Sequence, residues 1–366
     1  MHVPDGFINA PVSAVAGVVA AGAVAVSLKG ARRELGVTSR SSGAENGGER
    51  TAPLAGLVAA FIFAVQMLNF PVAAGTSGHL LGGALAAILV GPYTGVLCIS
   101  VVLLMQGILF ADGGLTALGV NILDMGVVTT VVAYALFRGL LGVLPRTRRS
   151  VTAASFVAAL VSVPAAACAF TLMYWIGGTT DIPIGKVFTA MTGVHVLIGI
   201  GEALITALTV GAVVAVRPDL VHGAKGLAAP LKLRVDGELV DAPAPARRPA
   251  PAAHRPTRGL WITGLVTALV LAGFVSFYAS ADPDGLEKVA ADQGIDEKTE
   301  EHATADSPLA DYGVKDVSDA RLSGGLAGVI GVGATLLAGS GAFYVVSRRR
   351  RTQGDAETAT RTEEKV

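Results

Sequence analysis

The sequence predicts an all-α membrane protein, a polytopic bundle of about seven transmembrane helices followed by a C-terminal two-helix module. Three observations predict this fold. Of the 366 residues, 52% are hydrophobic and only 15% are charged, whereas soluble domains carry about 25% charged residues. Apolar runs long enough to span a hydrocarbon core of about 30 Å recur along the chain. The 46 glycines suit close helix–helix contacts in lipid.

The predicted spans are separated by loops whose charge alternates. The first span, 9–28, precedes a Gly/Ser-rich loop that carries Lys29, Arg32 and Arg33. The positive-inside rule assigns this loop to the cytoplasm and the amino terminus to the outside. A break is expected at Gly91-Pro92, since proline ends or kinks a helix. The later spans are 52–70, 80–110 with that break, 120–144, 151–176, 187–216, 259–280 and 324–346.

Composition divides the chain into four regions. Residues 1–216 form the main transmembrane domain, and 217–258 form a basic cytoplasmic linker with an extended Ala/Pro-rich stretch. Residues 259–347 form the two-helix module, and 348–366 a cytoplasmic tail that begins with four arginines. The loop at 281–322 is acidic and lies outside the membrane. We expect it either to gather cations or to steer assembly; a solvated tether is an equally good interpretation.

Several function classes find no support in the sequence. The 28 basic and 28 acidic residues balance, so no nucleic-acid partner is expected. Cys98 and Cys168 lack metal-ligand spacing, and a disulfide framework is unlikely on composition. A phosphate-binding GxxxxGK[ST] loop is missing, so energy must come from a partner or a gradient. No basic segment precedes the first apolar run, and we therefore expect no cleaved signal peptide.

The first two residues, Met1 and His2, form a potential metal chelate. The amine of Met1, the backbone nitrogen of His2 and its Nδ1 are spaced to close two fused rings around one ion. A deprotonated amide ligand favours square-planar Cu(II) or Ni(II). This chelate requires that Met1 is retained with a free amine. Taken alone, Met-His is more often an accidental start.

His79 is the candidate for a fourth nitrogen donor. It lies between glycine and an apolar run, on the same predicted side of the membrane as Met1 and His2. Imidazole suits nickel and copper. A lone histidine in this position is otherwise more often a packed or water-facing residue.

Further polar residues lie within predicted spans. His195 and Glu202 are seven residues apart, so they share one helix face. Ionisable residues in a membrane are costly and are functional candidates, although a structural pair between helices is equally plausible. Asn121 and Asp124 begin the fifth span. They could orient a ligand histidine, but for either alone an ordinary helix cap is the more common role.

Four motifs in this order resemble the CbiM/NikM family. They are MHVPDGF at 1–7, GTSGHLLG at 75–82, DGGLTALGVN at 112–121 and HVLIGIGE at 195–202. That family comprises the substrate-specific membrane subunits of energy-coupling-factor (ECF-type) ABC transporters for cobalt and nickel. The region from 259 resembles the companion small CbiN/NikN-like subunit, whose signature PDGLE stands at 283–287. The chain therefore resembles a fusion of the two subunits.

The resemblance implies a transport subunit rather than an enzyme. The metal ligands would be Met1, His2 and His79, and Ni²⁺ or Co²⁺ would be the transported substrate. Ser77, Asn121, Asp124, His195 and Glu202 are candidates for supporting the ligands or lining a pathway. The implied partners are a transmembrane coupling subunit (CbiQ/NikQ-like) and two ABC ATPase subunits (CbiO/NikO-like). The GTSGHLL form of the loop favours nickel over cobalt.

Two alternative functions remain, each from a different class of protein. A membrane metalloenzyme needs an open metal position and a base, for which Glu202 is the only intramembrane candidate. A metal-sensing scaffold without transport would use the C-terminal module to signal.

Overall fold

The structure is a computed structural model in which most of the chain can be described. The backbone description covers residues 1–41, 47–73, 75–145, 147–224, 232–235, 238–241 and 258–363. Side chains are described over 1–35, 53–73, 75–145, 147–224 and 258–347. The Ala/Pro-rich part of the predicted linker and the side chains of the arginine-rich tail lie outside these ranges.

Helices account for most of the described chain, which confirms the all-α prediction. Ten helices are labelled α1 to α10 in chain order: Ala10–Ser41, Gly47–Gln66, Gly83–Val90, Pro92–Leu109, Leu118–Val143, Arg148–Gly177, Ile184–Val216, Arg258–Gly273, Gly285–Gln293 and Ala320–Glu363. Two short antiparallel hairpins occur, β1–β2 (Phe70–Ala73, Thr76–Gly78) and β3–β4 (Lys232–Val235, Glu238–Asp241). Single 3₁₀ turns lie at Pro218–Leu220, His222–Ala224, Val275–Tyr278, Ile295–Lys298 and Ala310–Tyr312.

Seven of the described helices are long and apolar enough to cross a membrane. Five precede the linker and two follow it. The apolar part of α2, Pro53–Gln66, and the eight-residue α3 are shorter than a full span. The predicted 52–70 helix ends at Gln66 because the chain turns into the β1–β2 hairpin there. The predicted run from 80 is likewise short, since α3 starts only at Gly83.

The predicted break at Gly91-Pro92 separates α3 from α4. Gly91 has φ +102°, and a Cβ there would lie 2.6 Å from the carboxyl carbon of Glu34. The Glu34 carboxylate accepts hydrogen bonds from the backbone amides of Tyr93 and Thr94 at 3.2 and 2.8 Å. A carboxylate at a helix amino terminus is favourable because it meets unpaired amides. This contact fixes the far end of α1 to the start of α4.

The C-terminal module packs closely against α2. A Cβ at Gly331 of α10 would lie 2.2 Å from the Phe63 ring, and one at Gly56 of α2 would lie 2.3 Å from the Ser340 hydroxyl. Small residues at these crossings let the helices approach, which is the usual packing of helices in membranes.

The acidic loop between α8 and α10 is folded onto the first domain. The Glu300 amide donates to the Asp5 carbonyl at 3.0 Å, and the Asp311 amide donates to the Phe110 carbonyl at 3.0 Å. His302 Nε2 lies 3.1 Å from the Gly113 carbonyl oxygen. The interpretation of this loop as a solvated tether is therefore wrong.

Candidate metal centre

The chain segment 1–5, called the amino-terminal strand below, is largely buried and is held by Asn121. The Asn121 Oδ1 accepts from the Val3 amide at 2.7 Å, and its Nδ2 donates to the Val3 carbonyl at 3.1 Å. The Gly114 amide donates to the same carbonyl at 2.9 Å. Asn121 makes no side-chain helix cap, so that interpretation is wrong for this residue. Its side chain instead positions the strand that carries His2.

Asp5 fixes the Gly-rich loop that surrounds this strand. Its Oδ1 accepts from the Thr116 amide at 2.8 Å and from the Thr116 hydroxyl at 2.5 Å, and its Oδ2 accepts from the Leu115 amide at 3.2 Å. A Cβ at Gly114 would lie 2.3 Å from Asp5. At Gly114 the loop therefore lies so close to Asp5 that a residue with a Cβ atom would not fit.

The Met1 amine is enclosed between His79 and an aspartate. Met1 is 2% exposed, and its nitrogen lies 2.7 Å from His79 Nε2 and 2.5 Å from Asp284 Oδ2. His79 Nδ1 lies 3.0 Å from the carbonyl of Leu80. A neutral imidazole that donates through Nδ1 leaves the Nε2 lone pair free, and this arrangement is typical of metal-binding histidine.

His2 packs against His79, with ring centroids 5.0 Å apart and an interplanar angle of 18°. Its Nδ1 lies 3.2 Å from Asp112 Oδ1, and its Nε2 lies 3.2 Å from Gln106 Oε1. Burial lowers the pKa of His2 to about 4, although Asp112 acts in the opposite direction. The imidazole is therefore neutral at physiological pH. In this arrangement Nδ1 faces Asp112, so the fused chelate remains a prediction that requires the ring to turn.

Asp284 is a residue of this centre that the sequence reasoning missed. Its Oδ1 accepts from the amides of Leu286 and Glu287 at 2.7 and 2.9 Å, which caps α9. Burial alone would raise the pKa of Asp284, but the Met1 ammonium and His79 outweigh burial and hold it well below its usual value. His2, His79 and Asp284 each offer one ligand atom, and these atoms lie within 4.8 Å of one another. The available signal was the PDGLE motif at 283–287.

Ser77 positions the loop that carries Asp284. Its hydroxyl donates to the Asp282 carbonyl at 2.7 Å, and its amide donates to the Pro283 carbonyl at 2.9 Å. The hairpin that leads to His79 therefore also holds the PDGLE segment.

His195 and Glu202 are both buried but bond to different groups. The Glu202 carboxylate accepts from the amides of Leu81 and Gly82 at 2.6 and 3.2 Å, so it fixes the backbone that follows His79. His195 Nδ1 lies 2.7 Å from the Met191 carbonyl, and a Cβ at Gly285 would lie 3.2 Å from the His195 ring. Among the described residues, His195 Nε2 has no hydrogen-bond partner.

Asp124 lies in a π-helical segment of α5, Ile122–Val128. It is fully buried, and neither carboxylate oxygen has a hydrogen-bond partner within the described part of the chain. The structure therefore does not place Asp124 in direct contact with the amine.

A cavity of about 600 Å³ opens beside the centre. The cavity is bounded by residues of both regions of the chain. Its polar lining residues include His2, Gln66, His79, Asp112, Asp284, Glu287 and Tyr312.

The family model for the cobalt uptake substrate-specific transmembrane region matches residues 2–220. The chain belongs to this family. A second model, the PDGLE domain, matches residues 258–348. Members of the family are substrate-specific membrane regions, so this chain is a multi-pass membrane subunit for metal transport and not an enzyme.

Three relatives show how far the similarity of this family member extends. A protein of Haloquadratum walsbyi, provisionally named a metal transport protein, is 39% identical over 60% of this chain and 93% of its own length. A provisionally named fused nickel transport protein NikMN of Archaeoglobus fulgidus is 38% identical over 61% of this chain and 68% of its own length. The fused nickel transport protein NikMN of Rhodobacter capsulatus is 34% identical over 63% of this chain and 66% of its own length.

One solved structure, described as a transition metal transporter, resembles the chain in part. It covers 59% of this chain and 93% of its own, at 26% identity and a TM-score of 0.49.

Proposed function

We propose that this chain captures Ni²⁺ or Co²⁺ through the Met1 amine, His2 and His79 and passes it on for import. One observation carries the proposal. The amine is buried at 2.7 Å from a histidine nitrogen whose other ring nitrogen is held by a carbonyl. Two nitrogen donors directed at one another across so short a distance are in position to share an ion.

Metal binding at these donors releases protons. The amine must lose a proton before it can donate a lone pair, and so must a backbone amide of His2 if that nitrogen joins the site. His2 is already neutral because burial holds its pKa at about 4. Capture is therefore expected to strengthen as pH rises.

Nickel is the preferred ion in this proposal. A planar set of amine, amide and imidazole nitrogens suits Ni(II). Two relatives carry the name fused nickel transport protein, one of them provisionally. Cobalt is the next candidate, since a further relative from Clostridium tetani is named a cobalt transport protein.

Transport would require an energy-coupling-factor complex. The chain has no phosphate-binding loop of the GxxxxGK[ST] type, so ATP hydrolysis is assigned to two separate ATPase subunits joined by a transmembrane coupling subunit. The loops rich in arginine and lysine favour an arrangement with the carboxyl terminus in the cytoplasm and the metal centre outside. In this arrangement residues 1–216 capture the ion, 217–258 link the regions and 259–347 cover the centre.

The proposal is tested by removing one donor at a time. We expect His79→Ala, or one alanine inserted ahead of Met1, to abolish nickel and cobalt accumulation in cells that express the complete complex, measured by elemental analysis. His222→Gln, at the opposite end of the bundle beside Tyr134, is the matched control and should transport normally. Unchanged accumulation in either donor variant would refute the site. Mass spectrometry of the first peptide must show a retained, unblocked Met1.

The choice of metal has its own test. At equal free metal, uptake of Ni²⁺ should exceed uptake of Co²⁺ in cells expressing the complex. Greater cobalt uptake would reverse the preference but leave the nitrogen site intact.

A further inference from the structure

We propose that Asp284 is a direct ligand of the transported ion, supplied to the capture site by the C-terminal module. The inference rests on the proposed function of Met1, His2 and His79. It adds an oxygen donor to their nitrogen donors and assigns that donor to a different region of the chain.

The capping interaction fixes the direction of the Asp284 carboxylate. Both hydrogen bonds to the amides of α9 are made by Oδ1. The other oxygen, Oδ2, is directed at the Met1 amine and His79 Nε2. The Glu287 carboxylate accepts from the Asp284 amide at 2.9 Å, which completes a capping box. The orientation of Oδ2 is therefore set by the local fold of its own segment.

The separations between the three atoms are close to those of ligands around one ion, although two of them are shorter. The Met1 nitrogen, His79 Nε2 and Asp284 Oδ2 form a triangle with sides of 2.5, 2.7 and 3.4 Å. Metal–nitrogen and metal–oxygen bonds of about 2.0–2.2 Å place neighbouring ligands about 2.9–3.4 Å apart. An ion can contact all three atoms after a small outward movement of the amine.

Charge balance favours the same assignment. The Asp284 side chain is 10% exposed and that of Met1 is 1% exposed. A divalent ion in so buried a site is costly without a negative partner. In the structure, the Met1 ammonium is the cation that balances Asp284. A divalent ion bound at the same atoms would take over that role, so one carboxylate can balance either cation.

The position of Asp284 makes the site dependent on docking of the module. Ser77, two residues before His79, holds the backbone of Asp282 and Pro283 through its hydroxyl and amide. The oxygen donor and the histidine therefore approach the ion as one connected unit. With the three or four nitrogens near a plane, Asp284 Oδ2 is expected to be an axial fifth donor.

The test uses the purified full-length chain with Ni²⁺ alone as the probe. Asp284→Asn retains a good helix cap but removes the anionic oxygen. Asp284→Ser is a second variant that also caps α9. Asp282→Asn is the matched control, since Asp282 is exposed in the same loop and holds Ser77 only through its carbonyl. We expect both Asp284 variants to bind Ni²⁺ at least about tenfold more weakly and the control to bind normally.

The nickel K-edge absorption spectrum separates a ligand from a distant charge. The wild type and the Asp282 variant should show a damped pre-edge feature because an axial donor is present. In the Asp284 variants, the strong pre-edge feature of a planar four-coordinate ion should appear. Identical spectra and affinities in all four proteins would overturn the inference.

His79→Ala distinguishes this failure from that of the proposed function. If His79→Ala abolishes binding while the Asp284 variants match wild type, the nitrogen site stands and Asp284 is only a counter-ion of the amine. If His79→Ala binds Ni²⁺ as wild type does, the proposed function itself fails.

Discussion

Asn121 shows how one side chain controls the position of the amino-terminal strand. Both of its amide atoms bond to the backbone of Val3, two residues from the Met1 amine. The described sheets do not include this segment, and the Asn121 side chain bonds to its backbone as a neighbouring strand would. A bidentate amide is suited to this role because it offers a donor and an acceptor together.

Asn121→Ala is expected to weaken metal binding. The buried Val3 amide would lose its partner, at a cost of about 1–3 kcal/mol, while the Val3 carbonyl would keep its bond from the Gly114 amide. Part of that cost would appear as strand mobility, and we expect at least about tenfold weaker Ni²⁺ affinity by titration calorimetry. Asn9→Ala is the control, since Asn9 caps α1 through the Val12 amide at 3.0 Å. It should lower thermal stability and leave affinity unchanged; equal affinity losses in both variants would contradict this role.

Tyr312 connects the acidic loop to His2 through Asp112. Its hydroxyl donates to Asp112 Oδ2 at 2.6 Å and accepts from Gln106 Nε2 at 3.0 Å. Burial and the neighbouring Asp112 charge raise the pKa of Tyr312 well above 10. The loop therefore retains a protonated phenol in alkaline solution, where an unfolded chain would ionise.

Tyr312→Phe is expected to destabilise the protein by about 1.5–3 kcal/mol at pH 8, the value of a hydrogen bond to a charged acceptor. A raised pKa in the folded state gives stability that is complete below pH 10 and declines as pH rises toward the folded value. The difference between wild type and variant should therefore shrink above about pH 10. Thermal unfolding at several pH values checks this, and a difference that is constant with pH would contradict it.

The sequence predicted residues whose neighbours in the chain form a motif. Met1, His2 and His79 meet as the motifs implied, although the role of these residues as ligands stays a prediction. Asp284 also lies in a motif, PDGLE, but its place in this centre could not be predicted, because its contact with His79 spans 205 residues and depends on docking of a separate module. Asp124 was a candidate on sequence, but its π-helical position and its lack of a hydrogen-bond partner among the described residues were not predictable, since periodicity does not reveal a π-helical turn.

At the scale of helices, the break between α3 and α4 is determined by local chemistry. Proline at the first position of a helix needs no amide partner, and glycine permits the φ of +102° that precedes it. These signals are local, and the break could be predicted. The β1–β2 hairpin could not, because its residues continue the apolar run of α2 without a strong turn signal before Gly75.

Gly91→Ala is expected to destabilise the protein by about 1–3 kcal/mol, because alanine is strained at this φ and its Cβ would overlap the Glu34 carboxyl group. Gly142→Ala is the matched control, since no atom lies within 4 Å of a Cβ there. Thermal unfolding in detergent measures the effect. If both variants melt alike, the contact with Glu34 contributes nothing.

At the scale of the whole molecule, the two regions matched by different family models form one closed unit. Helices α8 and α10 contact α2, and the acidic loop contacts the metal centre. Composition alone separated the regions at the linker, but it could not show that the acidic loop is folded, because its order comes from bonds to distant backbone groups.

Gly331→Ala is expected to loosen this unit. Its Cβ would lie 2.2 Å from the Phe63 ring, whereas a Cβ at Gly333, on the same helix, would meet no atom within 4 Å. Overpacking of this kind costs about 1–3 kcal/mol. After cleavage at a protease site inserted between residues 242 and 256, the two fragments of Gly333→Ala should copurify, and those of Gly331→Ala should separate. Copurification of both would show that this crossing tolerates a methyl group.

The Glu34 carboxylate has a mechanical consequence for the first domain. It joins α1 to the first turn of α4, while Gln106 in the last turn of α4 contacts His2, which precedes α1. Because α1 and α4 are joined at two separate points, we expect that neither helix slides along the other. We therefore expect a displacement of His2 by an arriving ion to reach the Glu34 contact along α4, whose 18 residues span about 27 Å at 1.5 Å per residue.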